Sequence, residues 1–222
     1  MPTDSRPLAG RRILVTQSGD FMGPALCEAL AAQGARVLAD ARPLADPEAA
    51  RQVVDAAGQV DVLIAHLAVP APATAAHEVS DDEWRHVFAH LVDPLPRLAR
   101  AVLPQMLARR AGKILVMGSA AALRGQRRTS AYSAARVRAV GVELAPANVQ
   151  VNAIAQNFVD NPTYFPPQVQ ANPRFIERLR REVPLGRLVS APEDAQFAAY
   201  LCSSAADCFV GQVFPVCGGW AG

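Results

Sequence analysis

The sequence predicts a doubly wound α/β fold, a parallel sheet between two layers of helices (three-layer α/β/α) in a single domain spanning residues 1–222. Three observations predict it. Short apolar runs alternate with helical segments along the whole chain. The runs are continuously apolar, the pattern of strands covered on both faces. Polar residues stand where runs end, at Thr16, Ser119 and Gln156, and open α/β sheets bind ligands outside the carboxyl ends of their strands.

Taken in order, Arg12–Thr16 is a strand, and Pro24–Gln33 is a helix ending at Gly34, where left-handed backbone is least costly. Val37–Asp40 is the second strand, Pro47–Ala57 a helix closed by Gly58, and Val60–Ala65 the third strand. Ser80–Met106 reads as one long helix, opened by a capping box of Ser80 with Glu83 and kinked midway by Pro94 and Pro96. Strand Lys113–Gly118, helix Tyr132–Leu144, strand Val149–Ile154, helix Pro192–Cys202 and strand Gln212–Val216 complete the alternation. Asn157–Pro173 interrupts it with a polar, proline-rich excursion placed to close over the crevice.

Composition narrows the partners. The 22 basic and 20 acidic residues leave a net charge of +2 without long single-sign runs, so Arg109–Arg110 and Arg127–Arg128 read as solvated faces and nucleic acid is not an expected partner. The apolar runs fall short of the roughly 18 residues of a membrane span, so no membrane partner is expected. Cys27, Cys202, Cys208 and Cys217 show no metal-ligand spacing and no signal segment precedes them, which predicts reduced thiols in a cytoplasmic protein. His66, His77, His86 and His90 lack metal-ligand spacing too and read as surface or satisfied polar residues.

The chemistry concentrates at Ser119, Tyr132 and Arg136, in a chain whose only lysine is Lys113. On a helix, Tyr132 and Arg136 share one face, and a guanidinium beside a phenol favours phenolate, lowering a pKa that starts near ~10. Tyr132 is thereby a candidate general base, with Ser119 a donor that fixes a substrate oxygen. Lys113 cannot join them, because six residues of strand, about 20 Å, separate it from Ser119. The first strand opens into Gln17–Ser–Gly–Asp–Phe21, with side chains where a dinucleotide loop needs small residues, and Phe21 stands in the path of such a cofactor.

The order of elements, the serine closing the Lys113–Gly118 strand and the tyrosine opening the next helix resemble the short-chain dehydrogenase/reductase superfamily and its Rossmann-like sheet. Within it, Thr16 followed by Phe21 and Gly23, together with Ser119, Tyr132 and Arg136, resembles the paired signatures of the halohydrin dehalogenases. Ala155–Gln–Asn–Phe–Val159 and Gly218–Gly–Trp220 are similar to the B-type members. The resemblance implies a carbon–halogen lyase that needs no redox cofactor and no metal. Its substrates would be vicinal haloalcohols, converted to epoxides plus halide, with the reverse opening of epoxides by small anions such as azide, cyanide or nitrite. It further implies a homotetramer, a dimer of dimers, in which Trp220 is a candidate contact with a neighbouring subunit. The leaving halide would lie where reductases hold nicotinamide, cradled by the loop at about 155–173: Gln156, Asn157, Phe158 and Val159 from backbone N–H groups and ring edges, with Phe21 opposite and Tyr164 closing the pocket. A proline often stands in the family where this chain has Gln156. The chain also carries about six fewer residues after Arg136 than the family does, equivalent to about 9 Å of helix and about 240° of phase.

Two other functions stay open on the residues alone. An NAD(P)-dependent reductase with an altered loop would bind nicotinamide, and a non-catalytic relic of the fold would be indifferent to Tyr132→Phe.

Overall fold

The computed structural model describes residues 6–124 and 144–221. Its elements are β1 (Arg12–Val15), α1 (Gly23–Ala32), β2 (Arg36–Ala39), α2 (Ala49–Ala57), β3 (Val62–His66), α3 (Asp81–Leu91), α4 (Pro94–Arg109) and β4 (Gly112–Ser119). They continue with α5 (Ala121–Arg124), β5 (Val149–Gln156), α6 (Pro167–Gln170), α7 (Pro173–Glu182), α8 (Ala191–Cys202) and β6 (Val213–Val216). The strands form one parallel sheet in the order β2-β1-β3-β4-β5-β6. The chain therefore runs outward from β1 to β2 and then returns to the other side of β1 at β3, a reversal that opens a crevice above the carboxyl ends of β1, β3 and β4.

The pleat explains the two outer layers. Leu14, Leu63 and Ile114 point to one face, where they pack with Val53, Val87, Leu98 and Met106 from α2, α3 and α4. Ile13, Val15, Ile64 and Met117 point to the other, against Leu26 and Leu30 of α1 and Ala195 and Ala198 of α8. A third cluster, built from Phe158, Leu179, Val183 and Trp220, lies beyond the strand ends and supports the site. Gly34 and Gly58 both adopt the positive φ expected where helices stop.

Three expectations change. The stretch from Ser80 to Met106 is two helices rather than one kinked helix: the N–H groups of Val92 and Asp93 both reach Phe88 O, and Pro94, which has no N–H to offer, starts α4. The capping box at Ser80 is half made. Ser80 Oγ accepts from the Glu83 N–H (3.1 Å), but the Glu83 carboxylate takes the Thr74 hydroxyl (2.7 Å). The complete box stands at Ser190 and Glu193, opening α8. Trp84, which the sequence reads as core of that long helix, is exposed and stacks on Phe88 at 4.5 Å. The helix expected over Tyr132–Leu144 and the shortened stretch after Arg136 lie outside the described residues, apart from Leu144.

No helix among the described residues is long and apolar enough to cross a membrane.

Candidate active site

The site is assembled at the carboxyl ends of four neighbouring strands. At the end of β1, the buried Thr16 hydroxyl donates to His66 O (3.0 Å), which ties β1 to β3. Gln17 follows with φ +44°, and its amide makes a reciprocal pair with Ala68: the Ala68 N–H donates to Oε1 (2.9 Å) and Nε2 donates to Ala68 O (3.4 Å). A long side chain thus fills the first turn after β1. Phe21 closes that turn with φ +47°, a conformation that costs a bulky residue roughly 1–2 kcal/mol and is kept where surrounding packing imposes it. Its ring lies against Tyr164 (5.4 Å between centroids) and approaches His66 edge-on (6.5 Å). The turn is tight enough that a Cβ on Gly23 would stand 2.4 Å from Ser18 O, so only glycine fits there.

Ser119 ends β4, buried, directly opposite Gln156 in the β4–β5 register. Its Oγ accepts the Ala121 N–H (3.2 Å) at the start of α5, which leaves the O–H to be donated. Beyond Gln156 the chain enters the excursion. The Asn157 N–H is spent on Val216 O (3.1 Å), and the Phe158 N–H on Asn157 Oδ1 (2.9 Å). Of these loop donors, the Val159 N–H is the one with no acceptor among the described residues. The expected cradle of several backbone N–H groups is therefore narrower than the sequence suggested. Phe158 has φ +51° and is buried, stacked with Phe165 (6.1 Å) and edge-on to Trp220 (6.0 Å). Arg178 lies over this ring at 5.5 Å while its Nε pairs with Glu182 (3.0 Å).

Asn161 builds the turn that returns the excursion over the site, accepting from the N–H groups of Thr163 and Tyr164 and donating to Val159 O. Tyr164 then reaches the segment after β3: its hydroxyl accepts the Ala71 N–H (2.8 Å) and donates to Val69 O (3.4 Å). The excursion is thereby anchored as a roof. Trp220, considered as a contact with another subunit, is buried within this chain, its ring held between Phe158 and the Arg124 guanidinium.

These elements enclose a cavity of about 350 Å³. All seven sequence-selected residues that fall within the described part, Phe21, Ser119, Gln156, Asn157, Phe158, Val159 and Tyr164, line it. Tyr132 and Arg136 lie outside the described residues. Lys113 sits at the amino end of β4, paired with Asp207 (2.7 Å), at the opposite edge of the strand from Ser119. Residues not singled out also line the cavity: His66, Met117, Asn161, Phe165, Phe175 and Arg178. His66 ends β3 as Ser119 ends β4, so the strand-end rule that selected Ser119 would have selected it. Its Nδ1 lies 3.1 Å from Gln17 O, a satisfied buried histidine.

Behind the wall stands Asp194, in the first turn of α8 and 0% exposed. Its Oδ2 accepts from Gln156 Nε2 at 2.5 Å, while Oδ1 has no hydrogen-bond partner among the described residues. Burial pushes this carboxyl up to about 7, against the smaller opposing pull of the Gln156 hydrogen bond.

A roofed, aromatic-walled cavity over the strand ends of a doubly wound sheet, with a serine hydroxyl in its wall, is the site of an enzyme acting on a small molecule. A family model described as Enoyl-(Acyl carrier protein) reductase matches residues 10–221, and the chain belongs to that family, within the short-chain dehydrogenase/reductase superfamily. It is 30% identical over 244 aligned residues to L-xylulose reductase of Bos taurus, covering 96% of this chain and 97% of the relative. It is 29% identical over 218 residues to cis-4-hydroxycyclohexanecarboxylate dehydrogenase of Sinomonas cyclohexanicum, covering 93% of this chain and 84% of the relative. Among solved structures, one described as a dehalogenation enzyme is 31% identical, with a TM-score of 0.89, covering 96% of this chain and 99% of the other.

Proposed function

We propose that the protein is a halohydrin dehalogenase of B type, a carbon–halogen lyase that converts vicinal haloalcohols to epoxides and opens epoxides with small anions. The observation that carries this reading is the turn after β1. Gln17 fills it with a paired amide, and Phe21, held at positive φ against Tyr164, forms a wall of the cavity beside Ser119.

A nicotinamide dinucleotide, which the family's reductases imply, does not fit these residues. The first turn offers side chains in place of bare backbone, the aromatic pair of Phe21 and Tyr164 closes the space beyond it, and in the sequence Arg136 takes the position four residues after Tyr132 at which the superfamily's reductases resembled here carry a ribose-binding lysine. The structure described as a dehalogenation enzyme supports the same choice.

In this reading the substrate hydroxyl is fixed by the Ser119 O–H. Tyr132, held towards phenolate by Arg136, removes its proton. The resulting oxygen forms a C–O bond to the neighbouring carbon as the carbon–halogen bond breaks, and the halide leaves with that electron pair. The Val159 N–H and the positive edges of the Phe21 and Phe158 rings receive it. In reverse, an anion in that pocket attacks an epoxide carbon and Tyr132 returns the proton.

Halide release from a vicinal bromoalcohol by purified, nucleotide-free protein tests the proposal, with Tyr132→Phe expected to lower the rate by about 10²–10⁴-fold. Absence of release from folded protein refutes it. The names of the reductase relatives favour a second reading, a nicotinamide-dependent reductase, which requires NADH or NADPH to bind and be consumed.

A further inference from the structure

We propose that Asp194 is a positioning residue for the anion pocket: through Gln156 it decides whether the cavity wall beside Ser119 offers an amide N–H or an amide carbonyl to a bound anion. This rests on the dehalogenase reading. Three observations carry it. The Asp194 carboxyl is 0% exposed, one of its oxygens has no hydrogen-bond partner among the described residues, and the other is bound to a single side chain, Gln156, at 2.5 Å. Gln156 in turn lines the cavity and stands opposite Ser119 in the strand register.

The Asp194 carboxylate holds that amide in one orientation, and the neutral acid, which has a proton to donate, opens the other. A carboxylate only accepts, so it takes a Gln156 N–H and leaves the Gln156 carbonyl as the group not bound to it. A neutral carboxylic acid can donate its O–H to Gln156 Oε1, and the amide, turned over about its terminal bond, then presents its NH₂ group away from Asp194. An N–H attracts a halide or azide ion, whereas a carbonyl oxygen, with a buried carboxylate behind it, repels one. The change takes one proton from water and makes or breaks no other covalent bond. Burial raises the Asp194 carboxyl to about 7, so both states are reached close to neutrality.

His66 and Arg178 line the same cavity and are common to every variant compared, while the charges packed around Asp194 are engaged elsewhere. On the same helix, Glu193 is engaged by Arg187 and Ser190 at the surface. Helix α1, packed against α8, presents Cys27, whose thiol burial holds in its neutral form, and the exposed Glu28. On β4, Lys113 acts on Cys202 at the far end of α8 and pairs with Asp207. Linkage then makes proton and anion binding mutually favourable: an anion in the pocket raises the proton affinity of Asp194 by the same factor that the proton raises the anion's.

Bromide titration calorimetry in chloride-free buffers of differing ionisation heat, between pH 6 and 8.5, tests this on the full-length protein, on Tyr132→Phe and on Asp194→Asn. The unaltered protein and Tyr132→Phe should bind bromide up to about tenfold more weakly per pH unit above about pH 7, taking up as much as one proton per bromide. Asp194→Asn, made in the Tyr132→Phe background, should lose the proton uptake and the pH slope that Tyr132→Phe alone shows above about pH 7. Gln156→Leu, which also serves if Asp194→Asn fails to fold, should lose the slope equally, because no amide remains for Asp194 to turn. A pH slope and proton uptake retained undiminished in either variant overturn the proposal. Halide release by the unaltered protein, measured alongside, separates the two failures: release together with pH-independent bromide affinity overturns the role of Asp194 alone, whereas neither release nor bromide binding overturns the dehalogenase reading and this inference with it.

Discussion

Asp194→Asn should stabilise the protein in alkaline solution and leave it nearly unchanged in acid. The carboxyl is fully buried and sits at about 7 in the folded chain, against 3.8 for an ordinary aspartate. Between those values the folded state binds the proton more tightly than the unfolded state, so unfolding free energy falls as pH rises from about 4 and the penalty is complete above pH 7. A difference of roughly 3 pKa units corresponds to about 4 kcal/mol at most, and relaxation around the carboxylate reduces it to about 2–4 kcal/mol. Asparagine keeps the shape and a hydrogen bond to Gln156 without the charge. Urea unfolding of both proteins at pH 4.5, 6, 7 and 8.5 measures the effect. The difference in unfolding free energy should grow steadily with pH in favour of Asp194→Asn and level off above pH 7. A difference that is constant across the series would refute the argument, because it would mean that Asp194 titrates alike in the folded and unfolded chains.

Other expected outcomes test the roof, the cap and the donor. Phe158→Ala removes a buried ring that joins Phe165, Trp220 and Arg178, and should cost about 3–5 kcal/mol in urea unfolding. Glu193, held down to about 2 by Arg187 and by the Ser190 N–H and hydroxyl, contributes stability that is present above the unfolded value of 4.5 and disappears as pH falls towards 2. Glu193→Gln should therefore flatten the acid side of a melting-temperature profile between pH 2 and 6. Ser119→Ala should lower kcat/KM for a haloalcohol by about 10²-fold through loss of a donor to the substrate oxygen, and should cost about 1–3 kcal/mol in urea unfolding because the buried Ala121 N–H loses its acceptor.

The sheet was readable from the sequence because its strands are covered on both faces. Ile13 to Val15 and Val62 to Ala65 are apolar at every position, and a run of that kind has few other places to go. The seven candidate residues within the described part converge because they occupy strand ends and the loops that follow them, positions that a parallel sheet brings together whatever the side chains. What escaped was set by tertiary contacts. Helix α7 is so rich in charge that its buried stripe, Phe175 and Leu179 one turn apart, does not stand out in sequence, yet it packs against Phe158 and Phe165. Asp194 looks like an ordinary acidic residue in a helix's first turn until Gln156, 38 positions earlier, is found bonded to it. The Gln17 amide likewise acquires its role only through Ala68, 51 positions away. The roof also spends backbone N–H groups that the loop pattern alone left open, because Val216 and the Asn157 side chain claim them first.

The most direct test of the account is halide release from a simple vicinal bromoalcohol by purified, nucleotide-free protein, run beside Tyr132→Phe. Bromide and epoxide should form in equal amounts with the unaltered protein, and both should be lost in the variant. No bromide from folded protein, or equal release by the two proteins, would contradict it.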